Sequence, residues 1–153
     1  MPAYYDLVIS DLVVSHTGPA GVVAALQQAT HASLHALGAR LAHLDLSASE
    51  QNVLAVLADG RDRAVGELAA ATGTRPTTLT SVLDRLERRE LLVRELAASD
   101  RRSFLIVLTP AGRRAAAAVQ AAVAEIEQTA LGSLSKAQLA GFFAVARALT
   151  EVH

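Results

Sequence analysis

The apolar residues of this chain fall into helical stripes, interrupted once by two short runs that read as strands. From about 20 to 44, Leu26, Ser33, Leu37, Leu41 and Leu44 recur at helical spacing and predict one long helix. Arg40 is its only Asp, Glu, Lys or Arg, so this helix expects cover on most sides, from core or from a second subunit. Ser47 and Glu50 form a capping box ahead of a helix that turns Val53, Leu54 and Leu57 inward and ends at Gly60. "VGELAAATG" predicts a short helix closed by Gly73. "RPTTLTSVLDRLERRE" predicts the next, with Pro76 in its first turn and Leu79, Val82, Leu83 and Leu86 as its buried face. "LLVREL" and "SFLIVL" flank "AASDRR" as strand, loop and strand. Thr109-Pro110 is a cap followed by a first-turn proline, opening an Ala-rich helix to about 131. Ser135 and Gln138 open a last helix with Leu139, Phe142, Phe143, Ala146 and Leu149 inside. At the N-terminus, "YYDLVISDLVV" fits a helix through Tyr5, Val8 and Leu12 or a strand through Leu7 and Ile9; the helix is preferred. "SHTGPAG" reads as a loop.

Composition narrows the function. The chain has 153 residues, 52% of them hydrophobic and only 3% aromatic, so its core is built from Ala, Val and Leu. It has no cysteine, which excludes disulfides, thiolate metal sites and thiol redox sensing. No apolar run is long enough for a membrane span and no basic leader opens the chain, so a cytoplasmic protein without membrane association is expected. The net charge of −1 is unevenly spread: residues 61–114 carry 11 Arg against 7 acids, while the rest is acidic. A basic middle between acidic ends is a weak electrostatic footprint for a polyanion, and equally the surface of ordinary Arg/Glu helices.

The order of helix, short helix, Gly turn, helix, two-stranded wing and helix is that of a winged helix-turn-helix, whose second helix enters the DNA major groove. Thr77, Ser81, Arg85 and Arg88 lie on one stripe opposite the Leu/Val face, as such a helix requires. Thr74 and Thr78 sit beside it at the helix start, together with Arg75, where free amides and hydroxyls suit phosphates. An ordinary amphipathic helix would show the same alternation. His31 and His35 are one helical turn apart, with Gln28 on their stripe and His43 nearby. Two imidazoles without a neighbouring acid or cysteine are too few for a closed zinc site, so no metal is expected.

From about 47 to 112 the sequence resembles the MarR family of bacterial transcriptional regulators. The resemblance rests on "TTLTSVLDRLERRELLVRE" and on "SDRRSFLIVLTPAG", whose Asp100, Arg102, Leu108 and Thr109 match the family's wing signature. It implies Arg102 in the minor groove, Arg101 on a phosphate, and Asp100 orienting the wing tip rather than touching DNA. A narrow minor groove concentrates negative potential and attracts a guanidinium, which gives that placement its physical reason. The resemblance also implies a homodimer with interlocking terminal helices, in many members a repressor released by a small aromatic anion. Gln28, His31, His35 and Arg40 are the candidates for contact with such an effector. Two positions depart from the family: Ser81 stands where many relatives have Arg in the recognition helix, and Glu90 where they usually have Gly after it. Glu90 must then take the turn itself, or the helix ends differently.

The expected fold is mainly α with a small β-wing: a winged helix-turn-helix with N- and C-terminal dimerisation helices. Its parts are N-terminal dimerisation helices in 1–46, the DNA-binding domain in 47–109 and C-terminal dimerisation helices in 110–153. The expected partners are double-stranded DNA with a pseudo-palindromic operator, a second copy of the chain and a small aromatic anion. With no nucleophile motif, Gly-rich phosphate loop or metal triad, neither an enzyme nor a cofactor is expected. A winged helix serving only protein interaction is the main rival, and it would carry apolar residues on the outer face of 74–88.

Overall fold

The structure is a computed structural model that describes residues 21–96 and 104–152. The expectations for 1–20, and for Asp100, Arg101 and Arg102, lie outside the described residues. Helix α1 (Val22–Arg40) is followed by a short 3-10 turn (Ala42–Leu44), α2 (Ala48–Leu57), β1 (Arg63–Ala64), α3 (Val65–Thr72) and α4 (Pro76–Arg88). Strands β2 (Leu92–Leu96) and β3 (Phe104–Leu108), then α5 (Pro110–Leu131) and α6 (Lys136–Thr150), complete it. The mainly helical architecture with a small β-wing is as expected from the sequence.

The long first helix is shorter than expected. It stops at Arg40, and Ala42–Leu44 continues only as a 3-10 turn that closes on Asp45 in left-handed backbone. The two-residue strand β1 was not foreseen; it pairs antiparallel with β3, Arg63 opposite Ile106, and makes the sheet three-stranded in the order β1-β3-β2. A two-residue strand has no periodicity to betray it, and its place is set by side-chain bonds. Both Arg63 terminal nitrogens donate to the Asp59 carboxylate at 2.8 and 2.6 Å, and one also reaches the Val56 carbonyl at 2.9 Å. Hydrogen bonds from Arg63, and then from Arg61, hold the Asp59 carboxyl well below the usual carboxylate range.

One core joins α2, α3, α4, the sheet and the first half of α5. Leu54, Leu68, Leu79, Leu86, Leu92 and Ile106 are wholly buried in it. The seam between the sheet and α5 explains the Leu-Thr-Pro-x-Gly stretch. Leu108 is buried, Thr109 caps α5 by accepting from the Gly112 amide at 3.0 Å, and its hydroxyl donates to the Glu90 carbonyl at 2.7 Å. Gly112 lies against the backbone of Leu91, where a Cβ would come within 1.7 Å of the carbonyl oxygen. The amide of Thr109 donates to that same carbonyl.

Outside this lobe the chain buries little of itself. Neither α1 nor α6 contains a buried residue, and in α5 none follows Ala122. The expectation that Phe142 and Phe143 lie inside is corrected here: they are 53% and 63% exposed, packed edge to face against each other. Their helix has an apolar side, but among the described residues no core meets it. Among the described residues no helix is long and apolar enough to cross a membrane.

Candidate nucleic-acid interface

Helix α4 buries one face in the lobe and exposes the other. Its amphipathicity has a simple origin: Leu79, Val82, Leu83 and Leu86 fill the core, and every side chain opposite them is polar. Pro76 occupies the first turn, where its missing N–H costs nothing, and Arg75 precedes it as an N-cap without a side-chain cap. The α4 start therefore keeps its partial positive charge unquenched by a capping side chain. Glycine Gly73, at φ 63, makes the turn from α3 that sets the two helices at an angle.

Most of the residues expected to contact DNA are exposed. Arg75, Thr77, Thr78, Ser81 and Arg88 are exposed on α4 or at its start. Ser81 folds its hydroxyl back onto the Thr78 carbonyl at 2.8 Å, and Arg88 donates to the Asp84 carbonyl at 3.2 Å. Thr74 is half-buried and donates weakly to the Thr72 carbonyl at 3.4 Å, so it closes the turn more than it faces outward.

Arg85 stands apart from that group. Its Nε donates to the Glu50 carboxylate at 3.3 Å, and Glu50 is only 4% exposed. Glu50 is also the reciprocal half of the α2 capping box, accepting from the Ser47 amide at 2.7 Å. Burial pushes its carboxyl up, but the Ser47 amide and hydroxyl and Arg85 together bring it below its ordinary value. Arg85 thus fastens the flank of α4 to the start of α2.

Three further residues were missed by sequence reasoning. Arg89 donates to the Asp45 and Leu44 carbonyls at 2.6 and 2.7 Å, gripping the turn between α1 and α2. Arg94 of β2 donates to Asp84 at 2.6 Å and to Glu87, so the wing's first strand is tied to α4. Asp84 itself shares the outward stripe of Thr77, Ser81 and Arg88 at helical spacing. The signal for Arg89 was a third basic residue just past the helix; nothing local distinguishes the acceptors it chose. Glu90 takes left-handed backbone at φ 57 and ends the helix with a bond from Leu91 back to Leu86, so the non-Gly residue does make the turn.

The residues considered for an effector lie elsewhere. Gln28, His31 and His35 are exposed on α1, on the side away from a largely apolar cavity of about 590 Å³. That cavity lies between α1, α5 and α6, with Leu26, Ser33, Ile126, Leu139 and Phe142 in its walls. Arg40 lies 3.7 Å from Glu125 of α5 and also donates to the Ala36 carbonyl. Among the described residues no group of three His, Cys, Asp or Glu could hold a metal ion.

Residues 44–103 match the MarR family. The chain is 30% identical over 86 residues to a Thauera aromatica protein assigned as a transcriptional regulatory protein for the hcr operon. That match takes in 56% of this chain, and the chain spans about half, 52%, of the length of that relative. Among solved structures it is similar to Bordetella bronchiseptica BpsR, whose DNA binding is regulated by 6-hydroxynicotinic acid. The TM-score is 0.70 at 25% identity, covering 85% of this chain and 98% of that one. Rhodococcus jostii CouR, solved with p-coumaroyl-CoA, shares the fold at TM-score 0.77 and 24% identity, over 90% of this chain and 98% of its own. The segment 44–103 is thus that of the MarR family, and over most of the chain the fold is that of these solved regulators.

Proposed function

We propose that this protein is a homodimeric, sequence-specific DNA-binding transcriptional regulator, a repressor released by a small aromatic or anionic effector. The observation that carries the reading is the outer face of α4. It presents Thr77, Thr78 and Ser81 from an uncapped helix start onward and Arg88 at the helix end, where an interaction module would present apolar residues. Arg75 supports it from the helix start, and Arg101 and Arg102 would add wing contacts positioned by Asp100. The role is regulatory rather than catalytic.

The dimer reading rests on α1 and α6. Two helices without one buried residue between them, and with Phe142 and Phe143 exposed, need an apolar partner surface. Residues 1–46 and 110–153 then form the dimer base, and 47–109 the DNA-binding domain. In a dimer the two α4 helices reach successive major grooves on one side of a pseudo-palindromic duplex.

The effector reading draws on BpsR, whose ligand is an aromatic acid. Gln28, His31 and His35 offer a polar stripe on the exposed side of α1, and Arg40 a guanidinium that an effector carboxylate would take from Glu125. Selection of duplexes from a random library with the purified protein tests the main reading. Enrichment of an inverted repeat with half-sites about one helical turn apart is expected. A protein that enriches no sequence and binds no duplex at low salt overturns it.

A further inference from the structure

We infer that Arg94 is a positioning residue for DNA binding: from the wing strand it neutralises two carboxylates on α4 and fixes that helix against the sheet. The inference deepens the DNA-binding reading above and rests on it.

The outward side of α4 is not uniformly suited to a polyanion. Asp84 stands on the same stripe as Thr77, Ser81 and Arg88, and Glu87 follows on the flank toward the wing. Asp84 is half exposed. A bare carboxylate at that place would face phosphates within a Debye length, about 10 Å at 0.1 M salt, and would repel them. Arg94 removes that conflict. One terminal nitrogen donates to Asp84 at 2.6 Å and the other to Glu87, so a single fork covers both charges. A guanidinium suits this better than an ammonium, because its rigid donors can serve two acceptors at once.

The sheet places the backbone of Arg94. It sits in mid-strand opposite Ile106, with Leu92 opposite Leu108, and Ile106 and Leu92 are wholly buried. The strand therefore fixes where Arg94 leaves the sheet, and its guanidinium ties α4 to that point. On the opposite flank Arg85 does the same toward Glu50. Residues 85 and 87 lie about 160° apart on an ideal helix, so the two arginine bonds brace α4 from both sides. The outward stripe between them is left for contact.

The test uses the full-length protein, a duplex selected from a random library by the wild type, and a random-sequence duplex. Arg94→Ala should lower affinity for the selected duplex at least tenfold. Adding Asp84→Asn and Glu87→Gln to Arg94→Ala should recover most of that loss, because the repelling charges are gone and only the brace is missing. No rescue would mean that Arg94 itself touches DNA or serves only folding, and would overturn the inference. Asp84→Asn with Glu87→Gln, Arg94 intact, should bind as tightly as wild type or tighter. This pair keeps the question open to test if Arg94→Ala fails to fold. A loss of affinity in the pair would mean that the carboxylates read bases, and would also overturn it. A wild type that bound neither duplex would overturn the DNA-binding reading itself. A wild type that binds, beside an Arg94→Ala that binds equally well, would overturn this inference alone.

Discussion

The Arg85 guanidinium, 3.3 Å from the buried Glu50 carboxylate, joins α4 to the start of α2 across 35 residues of sequence. The same carboxylate closes the α2 capping box on the Ser47 amide. One acidic group thus supports the first turn of one helix and the flank of another.

Glu50 gives a pH signature. Its carboxyl lies below its ordinary value of 4.5 when folded. A depressed carboxylate stabilises the fold above the unfolded value, and the contribution is lost as pH falls through the folded one. Thermal melts of wild type should therefore lose stability below about pH 4.5, and Glu50→Gln should flatten that part of the curve. At pH 7, Glu50→Ala should cost about 1–2 kcal/mol, from the lost cap bond and the lost partner of Arg85.

Gly112 has no room for a side chain. A Cβ 1.7 Å from the Leu91 oxygen requires the α5 start to pull away from the sheet. Gly112→Ala should destabilise by on the order of 3 kcal/mol. Thr109→Ala, which removes only the cap and the bond to Glu90, should cost about 1 kcal/mol. Denaturant unfolding of the two variants checks the ranking; a Gly112→Ala milder than Thr109→Ala would refute the close seam.

Glu90 carries the opposite lesson. Its left-handed backbone, φ 57, is one that glycine adopts without strain. Glu90→Gly relieves that strain but loosens the unfolded chain, so a net gain of up to about 1 kcal/mol is expected. A loss of stability in urea melts would show that the Glu90 side chain contributes more than its backbone costs.

The proposed dimer base is testable through one aromatic residue. Phe143 is 63% exposed on a helix with no buried residue. Phe143→Arg should drive the protein toward monomer at micromolar concentration, with a lower melting temperature, because folding and association are linked. Sedimentation velocity reads both species; an unchanged wild-type dimer in the variant would remove α6 from the interface.

Much of this was legible in the sequence where a pattern is local. Ser47 with Glu50, Thr109 with Pro110, and the Leu79, Val82, Leu83 and Leu86 face each lie within a few turns of chain, and each holds. What escaped depends on partners distant in sequence. Arg89 finds carbonyls 44 and 45 residues away, β1 exists because β3 passes it, and Arg85 is diverted to Glu50. Phe142 and Phe143 read as core because periodicity reports an apolar side, not what covers it. The pattern of the Gln28, His31 and His35 stripe likewise could not say that the cavity lies on the other side of α1.

The outward stripe of α4 yields the last expectation. Arg88 is exposed, with its Nε turned to the backbone of its own helix, and Ser81 is exposed about two turns before it. A guanidinium at the end of the helix meets phosphate, whereas a short hydroxyl at mid-helix meets base edges. The two substitutions should therefore fail differently. Arg88→Ala should weaken binding to selected and random duplexes alike and reduce the salt slope by about 1. Ser81→Ala should leave random-duplex binding unchanged and alter which bases are recovered at the half-site centre, with a discrimination change of about 1–3 kcal/mol. Arg102→Ala, by the family's wing placement, should cost roughly 1–3 kcal/mol on the selected duplex. Titrations across 50 to 200 mM salt separate the slopes, and repeated selection with Ser81→Ala reads the preference. If Ser81→Ala recovers the wild-type sequence and Arg88→Ala keeps the wild-type slope, α4 does not lie in the groove with this stripe toward the bases.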